Sequence, residues 1–399
     1  MSRINDMLED MCPNGVKYVA IKDYFTRLKG TPITAGKMKE IESPDGEIRI
    51  FAGGKTVINA HEKDIPNANI TRVPAVLVQS RGVIDFIYYE KPFTFKNEMW
   101  AYTAENEITV KYLYYFLRNN TQHFRNSASG MGSLPQISLH VTEDFKIPVP
   151  PLEVQAEIVK ILDNFTELTA ELTAELTARK KQYEYYRDLL LDFGVHGEGA
   201  SECKWRTLES FADVRDGTHD SPKPSDYGYP LVTSKNISGG ILDLTSCYLI
   251  NENDYNSINQ RSRVDITDVL VSMIGTIGET IIVTSEPNYA IKNIGLVKTG
   301  NLLTSKYIKY YISSSYGQRY IQENIKGTAP RYLSLTALRK FSIPVPPIEE
   351  QERIVSILDR FDKLCNDISE GLPAEIEARR KQYEYYRDKL LSFEERKNA

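Results

Sequence analysis

No run of eighteen apolar residues occurs anywhere in these 399 residues, so nothing in the sequence is built to span a membrane as a helix. Cysteine is scarce and scattered. Cys12, Cys203, Cys247 and Cys365 contain no CxxC pair, which argues against zinc sites and a disulfide framework and fits a reducing cytoplasm. The N-terminal "MSRINDMLEDMCPNG" carries acids where a secretory signal needs an apolar core, so a cytoplasmic location is expected. The five histidines, His61, His123, His140, His196 and His219, show neither metal spacing nor an obvious pairing with a Ser or Cys nucleophile.

Catalytic signatures are missing as well. "FAGGKTV" (51–57) ends like a phosphate loop, but the pattern needs Gly where Arg49 stands, and no strand–loop–helix context supports it. "MIGTIGE" (273–279) reads as a hairpin turn. Both "VPP" runs lack the Asn/Asp-Pro-Pro-aromatic motif of an amino-methyltransferase. The chain reads as non-catalytic. Its net charge of −5 is unevenly spread. Residues 1–146 hold 18 basic against 17 acidic side chains and residues 194–347 hold 16 against 15. The acidity lies in 152–193 (5 against 9) and 348–399 (10 against 13), so the two large blocks are balanced and a local basic face for DNA is permitted.

What is present is a duplication. "IPVPPLEVQAEIVKILDNF" (147–165) recurs as "IPVPPIEEQERIVSILDRF" (343–361), and "KKQYEYYRDLLLDF" (180–193) as "RKQYEYYRDKLLSF" (380–393). The offsets of 196 and 200 residues are too long for a solenoid unit and indicate a domain-plus-helix module present twice. The expected segments are a domain over 1–146, a helix over 147–193, a second domain over 194–342 and a second helix over 343–399.

Each "PVPP" places Pro just ahead of a helix start, followed by Glu153 or by Glu349 and Glu350 at the positive end of the dipole. From Ile158 a 4,3 spacing continues through Leu162, Phe165, Thr169, Leu172, Leu176, Arg179, Tyr183, Tyr186, Leu190 and Phe193, a heptad seam. The tandem TAEL units of "TELTAELTAELTA" (166–178) stay in phase with it, each leucine (Leu168, Leu172, Leu176) adding one rung. The second copy slips by one residue across "EGLPAE", where Gly371 and Pro373 predict a break or kink. A helix on the order of 60 Å with one apolar seam needs a partner. Its own repeat, packed antiparallel, is the leading choice, and a homodimeric coiled coil the alternative.

The two large blocks share only landmarks, such as "LKGTP" against "RDGTH", "TVKYLYYFL" against "TSKYIKYYI", and "GSLPQISL" against "GTAPRYLSL". Gly-punctuated β-rich runs and Tyr-rich helical runs make each a mixed α/β domain. One architecture with divergent surfaces suggests two specificities. The near-identical "KQYEYYRD" segments suggest one kind of partner met twice, through Tyr183, Tyr185, Tyr186 and Arg187 and through Tyr383, Tyr385, Tyr386 and Arg387. Loop residues suited to reading nucleic acid are Lys29, Gly30, Thr31, Lys55, Arg81, Arg125 and Gln136 in the first block. In the second they are Arg215, Thr218, His219, Lys235, Asn236, Lys292, Lys326 and Arg331.

On these motifs the chain resembles the specificity (S) subunit of type I restriction–modification systems over essentially its full length. The TAEL run and "EGLPAEIEARRKQYEYYRD" look most like the IC subfamily; "LEVQ", with Val154 where the second copy has Glu350, departs from the pattern. The resemblance implies two target-recognition domains separated by two long antiparallel helices with an internal pseudo-twofold repeat. Each domain would read half of a bipartite, asymmetric site in double-stranded DNA, and the helices would act as the ruler. It implies as partners two modification (methyltransferase) subunits that methylate adenine, and restriction subunits that translocate and cut. S-adenosylmethionine, ATP and Mg2+ would be bound by those partners and none by this chain. A coiled-coil adaptor without DNA specificity is the competing expectation.

Overall fold

The computed structural model describes residues 2–54, 56–129, 134–193, 203–367 and 369–396. They form two compact units, Met1–Leu172 with Ile376–Ala399, and Thr173–Glu375. The expected segments, with borders at 146 and 342, follow the sequence repeat, whereas these units follow compactness. The division falls inside both helical segments, after Leu172 and after Glu375, because each helical half packs with a domain.

In the first unit a four-stranded antiparallel sheet runs in the order Thr26–Leu28, Trp100–Thr103, Ala75–Gln79, Asp85–Tyr89. A second sheet has Ile48–Phe51 at its centre, antiparallel to Val57–Ala60 and parallel to Phe93–Phe95. Tyr18–Ala20 pairs with Lys146–Pro148 and closes the domain where the chain enters its long helix. The strand "AVLVQ" shows how sequence sets this layering. All five residues are buried, and alternate side chains face opposite sides. Val76 and Val78 pack with Val110 and Leu113 of the helix Glu107–Asn119, while Ala75 and Leu77 join Phe51, Phe93 and Phe95.

The second unit repeats the plan. Its antiparallel sheet runs Asp213–Asp216, Ile294–Lys298, Val269–Ser272, Thr280–Ile282. Tyr229–Val232 lies antiparallel to Leu249–Ile250 and parallel to Ala290–Ile291, and Lys204–Thr207 pairs with Ser342–Val345. Val269 and Val271 face the helix Leu302–Ser313, and Leu270 the opposite core. Asn106 and Asn301 cap the two equivalent helices, each side chain accepting a first-turn N–H. The sequence-predicted hairpin turn at 273–279 is present, joining Val269–Ser272 to Thr280–Ile282, and Ala75–Gln79 pairs with Asp85–Tyr89 in the same way. "FAGGKTV" likewise lies between two antiparallel strands, so no helix follows it to hold a phosphate.

The helix Leu152–Leu190 is continuous for 39 residues. The Gln155 amide, buried, donates to the Pro150 carbonyl at 2.8 Å, and Gln351 repeats the bond to Pro346 at 2.9 Å at the start of the second helical segment. Ile158 and Leu162 are fully buried, and Leu168, Leu172 and Leu176 are half-buried along the same stripe. Thr166, Thr169 and Thr177 turn their hydroxyls onto carbonyls one turn back, which satisfies them without leaving the helix.

Within the first unit the stripe packs on the helix Leu372–Leu390, through its part from Ile376 on. Phe165 stacks on Tyr386 at 5.5 Å. Tyr18, which pairs with Pro148 beside the helix start, donates its hydroxyl to the Phe393 carbonyl, so the two helices run in opposite directions. Within the second unit Phe361 stacks on Tyr183 at 6.2 Å and on Tyr186 at 5.7 Å, and Cys365 lies near Lys180 and Arg179, again antiparallel. The seam is thus filled from within each unit, by the repeat.

The second helical segment is two helices, Ile348–Asn366 and Leu372–Leu390, and not one long one. The predicted break is present, starting at Asp367, just ahead of "EGLPAE". The Asp367 carboxylate accepts the backbone N–H groups of Ser369 and Glu370, capping the turn. Gly371 closes it where a Cβ would come within 2.6 Å of the Lys363 carbonyl. Ile368, which continues the 4,3 spacing of Leu358, Phe361 and Cys365 in the second copy, lies outside the described residues.

Candidate nucleic-acid interface

One backbone crossing organises the same edge of both domains. In the first, Thr31 donates its N–H to the Phe95 carbonyl at 2.7 Å. Gly30 approaches that oxygen so closely that a Cβ would sit 2.2 Å from it. In the second, Thr218 donates to the Ile291 carbonyl at 3.0 Å, and a Cβ on Gly217 would meet that oxygen at 2.3 Å. Each crossing is followed by the same dipeptide, Lys96–Asn97 and Lys292–Asn293. Only glycine permits these approaches, so Gly30, proposed from sequence as a DNA contact, serves packing.

Thr31 is also structural. It is fully buried, shares its hydroxyl with Thr94 at 2.7 Å and accepts the Asn69 N–H at 2.9 Å. Lys29 beside it is exposed. The Gln79 amide donates to the Gly54 carbonyl at 2.8 Å, and the Ser80 hydroxyl to the Glu98 carbonyl at 2.8 Å. These bonds draw the 52–54 loop, the Arg81–Gly82 turn and the Lys96–Glu98 segment together, and Gln136 joins them through its backbone bridge to Arg81. Arg81 and Gln136 are exposed. Arg125 is exposed too, with its Nε bonded to the Ile84 carbonyl at 3.2 Å. Lys55 lies outside the described residues.

In the second domain most sequence-proposed residues converge. Lys292 donates its N–H to the Val232 carbonyl at 2.9 Å and its ammonium to the Ser221 hydroxyl. His219 spans Asp216 at 3.0 Å and Asn293 at 2.8 Å. Lys235, Asn236 and Lys292 line one cleft of about 620 Å³ with Ile274 and Cys247. Asn236 is buried there and reciprocally capped with Thr233, so it shapes the loop while Lys235 faces solvent. Burial raises the Cys247 thiol to about 11, which keeps it protonated at neutral pH. Lys326 pairs with Tyr332 across a short hairpin that carries exposed Arg331. Arg215 stands apart, its guanidinium held by Asp213 and the Arg261 carbonyl.

Residues that sequence reasoning missed are Lys96, Asn97, Asn293, Ile274 and Tyr332. The repeated Lys–Asn following equivalent strands was the available signal for the first three. The tyrosines proposed for partner contact divide in two. Tyr183 is buried against Phe361 and Tyr383 packs on Phe165, so both hold the helix pairs, with Tyr186 and Tyr386 stacked beside them. Arg187 and Arg387 lie over the Tyr183 and Tyr383 rings. Tyr185 and Tyr385 are 64% and 62% exposed and remain open to a partner. Among the described residues no His, Cys, Asp and Glu cluster could hold a metal ion, and no helix is long and apolar enough to cross a membrane.

The type I restriction modification DNA specificity domain matches residues 13–179 and again 201–378. The EcoR124I/EcoR124II specificity subunit of Escherichia coli is 33% identical over 371 residues, covering 87% of each chain. A putative type I restriction enzyme specificity subunit of Haemophilus influenzae is 33% identical over 322 residues, 75% of this chain and 77% of its own. Among solved structures, the S subunit of a type I restriction–modification system from M. genitalium has the same fold, with a TM-score of 0.59 at 14% identity over 94% of this chain and 96% of that one. With the specificity domain present twice on two equivalent folds, the chain belongs to the type I restriction–modification specificity subunits, and its role in such a system is the non-catalytic one.

Proposed function

We propose that each domain reads one half of a bipartite, asymmetric site in double-stranded DNA, and that the helix Leu152–Leu190 sets the unread gap between the halves. The observation that carries this reading is the contrast within the chain. Two folds share a backbone crossing to within a few tenths of an ångström while the exposed side chains around it differ. Such a pair suits two different half-sites presented from one framework.

Catalysis then belongs to partners. Two modification subunits, bringing S-adenosylmethionine, dock on the repeated helical surfaces marked by Tyr185 and Tyr385, and restriction subunits supply ATP- and Mg2+-dependent translocation and cleavage. Adenine methylation in both half-sites is the expected activity of the assembly. Mapping methylated adenines in a host with this gene intact and deleted tests the reading. A gapped two-part motif should vanish on deletion; no gene-dependent motif, in a host shown to express the partners, sinks it in favour of the adaptor.

A further inference from the structure

The pairing pattern makes positions equivalent that the sequences hide. Ile137 donates its N–H to the Ser80 carbonyl at 2.9 Å, and Leu333 donates to the Met273 carbonyl at 2.8 Å. One residue on, Arg81 bridges Gln136 and Ile274 bridges Tyr332. Gly82 and Gly275 then turn with nearly the same positive φ, +79° and +75°. Arg81 therefore occupies the corner that Ile274 occupies in the other domain, and Gln136 matches Tyr332. Arg331, which follows Pro330 as Gln136 follows Pro135, is an insertion relative to the first domain.

Around this corner the frame is common and the exposed groups are not. Arg81 differs from its neighbours in one further respect. Arg27 is bonded to Glu143, Arg72 to Glu62 and Arg118 to Asp85; Arg49 lies over Phe51 and Tyr89, and Arg125 is tied to Ile84. The Arg81 guanidinium has no ion pair or hydrogen bond among the described residues, although its backbone is fixed on both sides. A rigidly mounted, exposed and uncommitted fork of donors matches the paired acceptors O6 and N7 of guanine in the major groove. Ile274, half-buried in the same corner, offers no donor.

Resting on the DNA-reading function proposed above, we infer that Arg81 is the guanine-specifying residue of the first domain's half-site and that Ile274 leaves the corresponding position of the other half-site without that requirement. The test is binding of the full chain, assembled with its modification partner, to duplexes randomised in both half-sites. Arg81→Lys keeps the charge but loses the fork. It should lower discrimination at one G·C pair of one half-site on the order of 10- to 100-fold, with every other position and the affinity for random duplex unchanged. The reciprocal Ile274→Arg should create a guanine preference in the opposite half-site.

Unchanged discrimination in Arg81→Lys overturns the inference. So does an equal loss on all sequences in Arg81→Ala with a shallower salt dependence, which marks a phosphate contact. A wild-type complex with no sequence preference at all overturns the DNA-reading function itself, and the two failures are thus distinguishable.

Discussion

Each domain is tied to its helix by the same triad, and truncating one member gives a sharp energetic expectation. Tyr310, 2% exposed, donates its hydroxyl to Asp359 at 2.6 Å, and Lys306 reaches the other carboxylate oxygen at 2.5 Å. Tyr115, Asp163 and Lys111 repeat the set at 2.5 and 2.7 Å. The lysines and aspartates are about one-third exposed, so each ion pair contributes under about 1 kcal/mol. The buried hydroxyl bond to a charged acceptor contributes about 1.5–3 kcal/mol. Burial and that bond both push the Tyr115 and Tyr310 hydroxyls above the ordinary tyrosine range, so neither ionises at accessible pH.

Tyr310→Phe leaves Asp359 partly solvated and still paired with Lys306, and should cost about 1.5 kcal/mol. Asp359→Ala also strands the buried hydroxyl and should cost about 3 kcal/mol. The double variant should cost about the same 3 kcal/mol as Asp359→Ala alone, a coupling of about 1–2 kcal/mol. A chain of two units is not expected to unfold in one step, so the readout is native-state hydrogen exchange in peptides spanning Leu302–Ser313. Tyr115→Phe with Asp163→Ala is the internal replicate. A coupling below about 0.5 kcal/mol in both units would refute the triad as the domain–helix fastening.

Three further expectations follow from other parts of the molecule. Gly217→Ala must move the Ile291 carbonyl, which a Cβ would approach to 2.3 Å, and should cost about 1–3 kcal/mol by native-state hydrogen exchange within its unit, with Gly30→Ala alike. Inserting one TAEL unit after Leu176 lengthens the helix by roughly 6 Å. In a methylome the gap should grow by about one or two base pairs at about 3.4 Å each, both half-sites staying the same. Glu47 is held down to about 2 by the Glu62 N–H, its own backbone amide and His61, and Asp243 to about 2 by the Ser246 and Thr245 hydroxyls. Both depressed groups contribute stability above their unfolded pKa of about 4, which is lost as pH falls through 2; Glu47→Gln should flatten that part of the pH–stability curve.

The text that repeats in this chain turns out to encode attachment. Lys111, Tyr112 and Tyr115 of "KYLYY" match Lys306, Tyr307 and Tyr310 of "KYIKY", and Asp163 of "ILDNF" matches Asp359 of "ILDRF". Tyr112 and Tyr307 bond the equivalent carbonyls of Pro148 and Pro344. These side chains meet across a domain–helix boundary, so each half constrains the other and both copies keep the same letters. The long helix was legible for the same reason, since a 4,3 stripe of apolar residues has few other uses. The broken helix was legible through Gly371, although its start at Asp367 was not, because Asx capping competes with helix over several residues.

The candidate interface was less legible, for a physical reason that bears on how such a site varies. Backbone bonds build the frame of each site, Thr31 to Phe95 and Thr218 to Ile291, Ile137 to Ser80 and Leu333 to Met273. Those bonds demand little of the side chains beyond glycine at the close approaches. Position by position, Arg81 can become Ile274 and Gln136 can become Tyr332 with the carbonyl geometry intact. Composition therefore nominates Lys29, Arg81 and Lys292 equally with Thr31 and Asn236, which prove buried. Only the register separates a side chain that holds the frame from one that the frame presents. A corner whose backbone is secured by its neighbours is free to change its side chain without loss of fold, and that freedom is what a reader of varied DNA sites requires.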